Sequence, residues 1–254
     1  MFNKLESVLM PIADKLGKNR VLIAIRDGFL ITTPLLIVGS IFLLIANFPI
    51  PGWDEMMASV FGENWGTWFT TFNMTGLLTC VGTGYAFARE LKGDKIQGAV
   101  VSLVAFVILT NTSIASIPGV SLLEGSDAAE NGINGLAFRY IGADGIFMGL
   151  VCALSSVLIF TWVYKKGWTI KMPKGVPPAV CDSFAALVPS AFVMTIFFLV
   201  RILFGMTSFG TAHQFVLEIL QTPLKGMGDT LAANAIYSFA CTFLWFFGIN
   251  GPAV

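Results

Sequence analysis

Charge is scarce in this 254-residue sequence: 12% of the residues are Asp, Glu, Lys or Arg, and 15 basic side chains balance 15 acidic ones. An ordinary soluble domain carries about 25% charged residues, so water is a poor solvent for this composition. The equal numbers of the two signs exclude a basic nucleic-acid-binding protein and an acidic disordered tail. We therefore expect no nucleic-acid partner.

Metal ligands and nucleotide-binding loops are also lacking. His213 is the single histidine, and the four cysteines are too far apart along the chain for a zinc or redox motif. No glycine loop that cradles phosphate is present. The sequence therefore predicts neither a metal site nor a cofactor, and the cysteines are expected to act as small apolar side chains. These cysteines are Cys80, Cys152, Cys181 and Cys241.

Long apolar runs are abundant, since 56% of the residues are hydrophobic and 23 are Phe. A helix needs about 20 apolar residues to cross a hydrocarbon core about 30 Å thick. No run alternates with the period of two that a barrel strand requires. The sequence therefore predicts an all-α polytopic membrane protein with about six transmembrane helices, surrounded by the lipid bilayer. The charge-free windows are Gly28–Trp53, Asn64–Ala88, Ile96–Leu123, Gly145–Tyr164, Ser183–Val200 and Thr230–Val254.

The loops differ in charge, and this difference predicts the orientation. Most cations precede the first window, fill the turn after the second, or follow the fourth. The alternate loops carry mainly acids, including Asp54, Glu55, Glu124 and Asp144. By the positive-inside rule, the N-terminus is cytoplasmic.

Two stretches outside the windows have apolar residues at helical spacing. The pattern predicts an amphipathic cytoplasmic segment at residues 1–27 and an interfacial helix at residues 208–226, with His213 as an interfacial residue. Ordinary connecting helices explain both stretches equally well. Gly82-Thr83-Gly84 and the pair Gly145 and Gly149 predict close helix packing.

The last window ends in a break at Gly248-Ile-Asn250-Gly251-Pro252. Transporters tolerate interrupted helices where the backbone lines a cavity, and substrates bind there. Trp245 can stack on a ligand ring, Gly248 and Gly251 allow close backbone approach, and the Asn250 amide can donate and accept hydrogen bonds. A helix that simply ends at the cytoplasmic interface is the alternative.

Arg26 and Asp27 at the entrance of the first window allow two interpretations. They form either an exposed ion pair of about 0–1 kcal/mol or a site in which Arg26 faces a polar cavity and binds substrate.

Two segments resemble a known family. Residues 18–50 read KNRVLIAIRDGFLITTPLLIVGSIFLLIANFPI, and residues 245–251 read WFFGING. Both are similar to motifs of the enzyme IIC permeases of the phosphoenolpyruvate-dependent sugar phosphotransferase system, in the lactose/cellobiose (diacetylchitobiose) family. The resemblance continues in register between them.

This resemblance implies a homodimeric sugar permease in the bacterial inner (plasma) membrane that moves a β-linked disaccharide inward without a cofactor of its own. A IIB phosphocarrier, supplied by IIA, HPr and enzyme I, phosphorylates the sugar. Residues 28–207 correspond to the five-helix dimerisation half, residues 208–226 to an interfacial helix, and residues 227–254 to the start of the substrate-binding half. Substrate-binding residues are then expected at Trp245, Gly248, Asn250 and Gly251, with Arg26 as a further candidate.

Two departures from the family pattern limit the assignment of catalytic roles. Asn250 occupies a position where the family motif commonly has His, and an amide does not transfer a proton at neutral pH. The family also places a Glu in a later hairpin, beyond Val254. We therefore expect a truncated permease in which no catalytic residue is assigned.

Two other functions remain open from the sequence. A facilitator or ion-coupled transporter would move its solute unmodified, although acids within the apolar windows, which normally mark coupling sites, are absent. The second open function is that of a dimerisation module that binds no sugar.

Overall fold

The structure, a computed structural model, describes residues 17–63, 65–66, 74–110, 135–136, 138–173, 175–221 and 238. Helices and no strands occur in these ranges, which confirms the all-α prediction. The helices are α1 (Arg20–Ala46), α2 (Trp53–Phe61), α3 (Thr75–Glu90), α4 (Lys95–Leu109), α5 (Phe138–Ile141), α6 (Ile146–Lys165), α7 (Pro178–Gly205) and α8 (Ala212–Val216). A single 3₁₀ turn, Ala143–Gly145, precedes α6, and a π-helical turn, Leu217–Gln221, continues α8.

Helix α1 begins eight residues before the charge-free window at Gly28. Its start is fixed by Asn19, whose side-chain oxygen accepts a hydrogen bond from the Val21 amide at 2.9 Å. Arg26 and Asp27 therefore lie inside the helix, and the predicted boundary at residue 27 falls within it. Charge marks where an apolar window ends, whereas capping marks where a helix begins.

The cap at the start of α4 lies directly after the end of α3. The Asp94 carboxylate accepts hydrogen bonds from the amides of Ile96 and Gln97 at 2.8 and 2.9 Å. Only residues 91–94 separate the two helices, so α3 and α4 are antiparallel neighbours. Helix α7 starts with Pro178 in its first turn, where the missing amide costs no intrahelical hydrogen bond.

Helix α3 lies at the centre of the bundle. It packs against α1, α4 and α6, while α7 packs on α4 and α6. Glycine permits the closest approaches: a methyl group at Gly82 would lie 2.5 Å from the Gly28 carbonyl oxygen, and one at Gly149 would lie 2.7 Å from that of Gly76. The predicted packing roles of Gly82-Thr83-Gly84 and of the pair Gly145 and Gly149 are confirmed.

Helices α1 and α7 lie at the edges of this arrangement and expose apolar side chains. Leu35 and Leu44 of α1 and Leu199 and Leu203 of α7 are each more than half exposed. Such exposed apolar surfaces are stable when they contact the lipid of a membrane. Within the described part of the chain, three segments are long and apolar enough to cross a membrane, whereas α4 is a shorter apolar helix. These segments are Arg20–Ala46, Ala143–Lys165 and Pro178–Gly205.

Each of the first five predicted windows overlaps one helix of 15 or more residues, and each of these helices extends beyond its window. In chain order, the helices are α1, α3, α4, α6 and α7. The sixth window, apart from Ser238, lies outside the described residues. The count of six transmembrane helices and the cytoplasmic location of the N-terminus stay predictions.

The interfacial location of residues 208–226 stays a prediction, whereas the prediction for the His213 side chain requires a correction. Within this range a helix begins only at Ala212, and residues 222–226 lie outside the described part of the chain. His213 is 1% exposed and packs inside the protein, so it is not an interfacial side chain. The periodicity of Phe209, His213 and Val216 predicted a helix face correctly, but that face is covered by protein.

Candidate functional site

Interhelical contacts define two ends of the bundle. The start of α1, the end of α3, the start of α4 and the end of α6 meet at one end, which we call the arginine end because it contains Arg26 and Arg89. The end of α4, helix α5, the start of α6, the end of α7 and helix α8 meet at the other, which we call the histidine end because it contains His213.

Arg26, the one predicted site residue within the described ranges, belongs to an ion-pair cluster at the arginine end. Its Nε donates to Asp27 Oδ1 at 2.8 Å, and Arg89 Nη2 pairs with Asp27 Oδ2. Arg89 Nε also lies 3.5 Å from Glu90 Oε1. Asp27 therefore joins two guanidinium groups, one from its own helix and one from α3.

The cluster is located at the closest contact between α1 and α3. A methyl group at Gly28 would lie 2.6 Å from the Thr83 Cα, so the two backbones are nearly touching one residue after Asp27. The Asp27 side chain is 15% exposed, whereas Arg26 and Arg89 are 38% and 39% exposed. This geometry supports the interpretation of an ion pair that fixes α1 on α3, and it leaves both arginines accessible from the end of the bundle.

The cations beside this cluster are attached to the end of α3. Lys165 Nζ at the end of α6 donates to the Leu91 carbonyl oxygen at 2.9 Å. A cation there opposes the negative end of the α3 dipole. Lys92 follows in the left-handed conformation, with φ of 57°. The end of α3 is thereby contacted by side chains from two other helices, Asp27 of α1 at Arg89 and Lys165 of α6 at Leu91.

Sequence reasoning identified the Arg26–Asp27 pair but missed Arg89 as its partner. Asp27 immediately precedes the first charge-free window, and Arg89 immediately follows the second. If consecutive membrane helices are antiparallel neighbours, these two residues lie at the same end. The signal was therefore present in the order of the charges.

The other predicted substrate-binding residues, Trp245, Gly248, Asn250 and Gly251, lie outside the described residues, as does Cys241. Cys80 and Cys152 are buried free thiols, and Cys181 is partly buried. Within the described ranges, no group of three or more His, Cys, Asp or Glu side chains is arranged to hold a metal ion.

Comparison with known proteins decides the family. The family model for "Phosphotransferase system, EIIC" matches residues 26–254. This chain belongs to the EIIC family of the phosphotransferase system. The family predicted from the segments 18–50 and 245–251 is thus confirmed.

Curated EIIC relatives match this chain along nearly its whole length. The putative permease IIC component YwbA of Bacillus subtilis is 34% identical over 98% of this chain and 56% of its own length. The cellobiose-specific EIIC component of Geobacillus stearothermophilus is 34% identical over 98% of this chain and 55% of its own length. The chain spans about half the length of the curated relatives it matches.

A solved structure shares the fold. The crystal structure of ChbC, the IIC component of an N,N'-diacetylchitobiose-specific phosphotransferase system, has a TM-score of 0.79 and 36% sequence identity to this chain. The match covers 98% of this chain and 58% of the ChbC chain. A helical EIIC transporter is therefore the structural relative of the described bundle.

Proposed function

We propose that this chain acts in a sugar-translocating EIIC permease that moves a β-linked disaccharide of the cellobiose or chitobiose type inward, with phosphorylation by a IIB partner. The observation that carries this proposal is the match to ChbC over nearly the whole chain, at 36% identity and a TM-score of 0.79. The relative named as cellobiose-specific points to the same class of sugar.

The proposed sugar site comprises Trp245, Gly248, Asn250 and Gly251, with Arg26 as an additional contact. A Trp ring offers an apolar face to the C–H surface of a pyranose, and an Asn amide matches the donor and acceptor character of sugar hydroxyls. The half-exposed Arg26 guanidinium retains donors beyond its hydrogen bond to Asp27. No residue of this chain is assigned as catalytic.

The proposed organisation follows the division made from the sequence. Residues 28–207 form the five-helix dimerisation half of a homodimer, residues 208–226 form an interfacial helix, and residues 227–254 begin the substrate-binding half. The N-terminus is cytoplasmic in the bacterial inner membrane, where IIA, HPr and enzyme I supply phosphoryl groups to IIB. The exposed apolar faces of α1 and α7 support placement in a bilayer.

Uptake of a labelled β-linked disaccharide tests the transport step. Cells expressing the gene that encodes this chain should accumulate cellobiose or chitobiose only with phosphoenolpyruvate and IIB available. Collapse of the proton gradient should leave uptake unchanged while the phosphoryl donor remains abundant. Uptake that survives loss of IIB and fails without the gradient would instead identify an ion-coupled transporter.

A binding titration tests the sugar site. Saturable disaccharide-dependent quenching of tryptophan fluorescence is expected in the purified chain, because Trp245 stacks on the sugar. Trp245→Ala should abolish the quenching, whereas Trp168→Ala, at an exposed tryptophan beside Phe192, should retain it. Identical titrations of wild type and Trp245→Ala would favour a dimerisation module that binds no sugar.

A further inference from the structure

His213 is buried at the histidine end of the bundle, where its imidazole is 1% exposed. Its Nε2 lies 3.0 Å from Thr110 Oγ1, a residue at the end of α4 and 103 positions earlier in the chain. Two aromatic rings surround it. The Tyr140 ring centroid lies 4.9 Å away, and the Phe106 ring meets it edge-on at 5.3 Å.

The hydrogen bonds around Thr110 determine which imidazole nitrogen carries the proton. Thr110 Oγ1 donates to the Phe106 carbonyl oxygen at 2.8 Å, so its single hydrogen is already used. Thr110 therefore accepts from His213, and Nε2 must be the protonated nitrogen. Nδ1 is left as a buried acceptor with no hydrogen-bond partner among the described residues. A neutral imidazole of one defined tautomer thus joins α8 to α4.

The acceptor is itself held in place from another helix. Arg201 of α7 donates to the carbonyl oxygens of Ile108 and Thr110, at 2.8 and 3.4 Å. These are carbonyls that the end of α4 leaves without intrahelical partners. The His213 contact therefore attaches α8 to a point already fixed by α4 and α7.

Helix α8 is otherwise held by apolar packing, in which the Phe215 ring centroid lies 5.2 Å from those of Phe204 and Phe209. It is five residues long, with Thr211 Oγ1 accepting from the Gln214 amide at 3.1 Å at its start. Such a short helix is not stable by itself and depends on tertiary contacts. Val216 and Ala212 are buried beside His213, but His213 is the polar side chain of α8 that reaches α4.

The connection from α8 leads through residues 217–226 into residues 227–254. We propose that His213 is a positioning residue that locks α8 to the end of the bundle through Thr110 and thereby sets where the proposed sugar-binding segment starts. The link to sugar binding rests on the proposed function, whereas the lock itself does not. The consequence is that weakening this one contact loosens α8 first and the sugar site next.

Hydrogen–deuterium exchange of the purified full chain tests the lock without any sugar. A hydrogen bond contributes about 0.5–1.5 kcal/mol net, which converts to about a two- to tenfold change in local opening. Thr110→Val should therefore speed exchange of the amides at 212–221 by about two- to tenfold. Exchange in the middle of α3 and α6 should stay unchanged.

Three variants separate the lock from ordinary destabilisation. Thr110→Ser keeps the hydroxyl acceptor, and His213→Gln keeps an N–H donor on a side chain of similar length. The amides at 212–221 of each variant should therefore exchange within about twofold of the wild-type rate. Thr207→Val is the matched control, because Thr207 Oγ1 makes the same kind of helix-end bond, to the Phe204 carbonyl at 2.7 Å, but is exposed. Equal exchange at 212–221 in wild type and Thr110→Val, or a uniform rise across all helices, overturns the lock.

Sugar affinity tests the positioning role. In the fluorescence titration, Thr110→Val should weaken disaccharide affinity by about two- to tenfold, and Thr110→Ser should restore it. Faster exchange at 212–221 with unchanged affinity overturns the positioning role. If wild type binds no disaccharide, the proposed function fails at Trp245, and the exchange data alone decide the lock.

Discussion

The two ends of the bundle connect their helices through different kinds of contact. At the arginine end, Asp27 joins Arg26 and Arg89, and both arginines are more than a third exposed. At the histidine end, a neutral His213 at 1% exposure is held by one hydroxyl and two rings. The arginine end thus relies on partly exposed ion pairs, whereas the histidine end combines a buried neutral contact with the Arg201 guanidinium, which donates to the end of α4.

This difference follows from the cost of desolvation. A charge removed from water needs an opposite charge and further hydrogen bonds, whereas burying a neutral imidazole costs less, even with its Nδ1 acceptor unpaired among the described residues. Solvent screens the exposed arginines and reduces what their ion pairs contribute to stability. The histidine end is therefore expected to depend on pH and packing, and the arginine end on charge and salt.

The largest predicted effect is one that the two ends share. Gly28→Ala and Gly149→Ala each place a methyl group against the backbone of α3, so each should lower the free energy of unfolding by about 2–3 kcal/mol. Gly205→Ala is the matched control, because nothing lies within 4 Å of its added methyl group. The free energy of unfolding of all three variants is measured in mixed micelles. An unchanged free energy of unfolding in Gly28→Ala would contradict the close contact between α1 and α3.

The second prediction concerns pH and separates the ends. Burial lowers the pKa of His213 to about 4, from an ordinary value of 6.5. The unfolded state therefore binds more protons between these two values, and stability present above pH 6.5 is lost as the pH falls to 4. The loss is up to about 3 kcal/mol.

The control for this pH effect is His213→Gln, which keeps an amide donor but does not titrate. The difference between wild type and variant should be constant above pH 7, and wild type should lose up to about 3 kcal/mol relative to the variant as the pH falls from 6.5 to 4. Other acidic groups at this end, such as Asp144 and Glu218, contribute equally to both proteins. Parallel stability curves from pH 7 to 4.5 would show that His213 is not buried as described.

The third prediction removes the charge that joins the arginines. Asp27→Asn should lower the free energy of unfolding by about 1–2 kcal/mol, because hydrogen bonds to charged groups contribute more than neutral ones. At the histidine end, Arg139 pairs with Asp144 at 3.1 Å but is 52% exposed. Arg139→Gln should therefore change stability by less than about 0.5 kcal/mol. If denaturation experiments gave the same loss of stability for Asp27→Asn and Arg139→Gln, burial would not distinguish the two ion pairs.

The smallest predicted effect is a response to salt. Raising the ionic strength from about 0.1 to 1 M shortens the screening length from about 10 to 3 Å. The cost of Asp27→Asn should then fall by a few tenths of a kcal/mol, while the cost of Thr110→Val stays constant. A salt-dependent Thr110→Val would indicate that His213 carries a charge.

Much of the fold could be predicted from the sequence because a helix that crosses lipid needs a long apolar segment without charge. Five charge-free windows each overlap a helix, and two glycine pairs mark close contacts. The exact helix start at Arg20 was missed, since it depends on Asn19 capping rather than on apolar length.

The histidine end could not have been predicted in the same way. His213 and Thr110 are 103 residues apart, and no period or spacing relates them. The amphipathic pattern around His213 predicted an apolar face, but a pattern does not distinguish lipid from protein as the group that covers it. The order of charges did contain the Asp27–Arg89 pair, because both residues adjoin charge-free windows at the same end.

The chemical form of the transported sugar is the most direct test of the proposed EIIC function. Membrane vesicles containing the product of this gene are loaded with phosphoenolpyruvate, enzyme I, HPr, IIA and IIB, and then exposed to labelled cellobiose or chitobiose. We predict that the label recovered inside is a disaccharide phosphate and that omission of IIB abolishes its accumulation. Recovery of unmodified disaccharide at the same rate with and without IIB would contradict the proposed function.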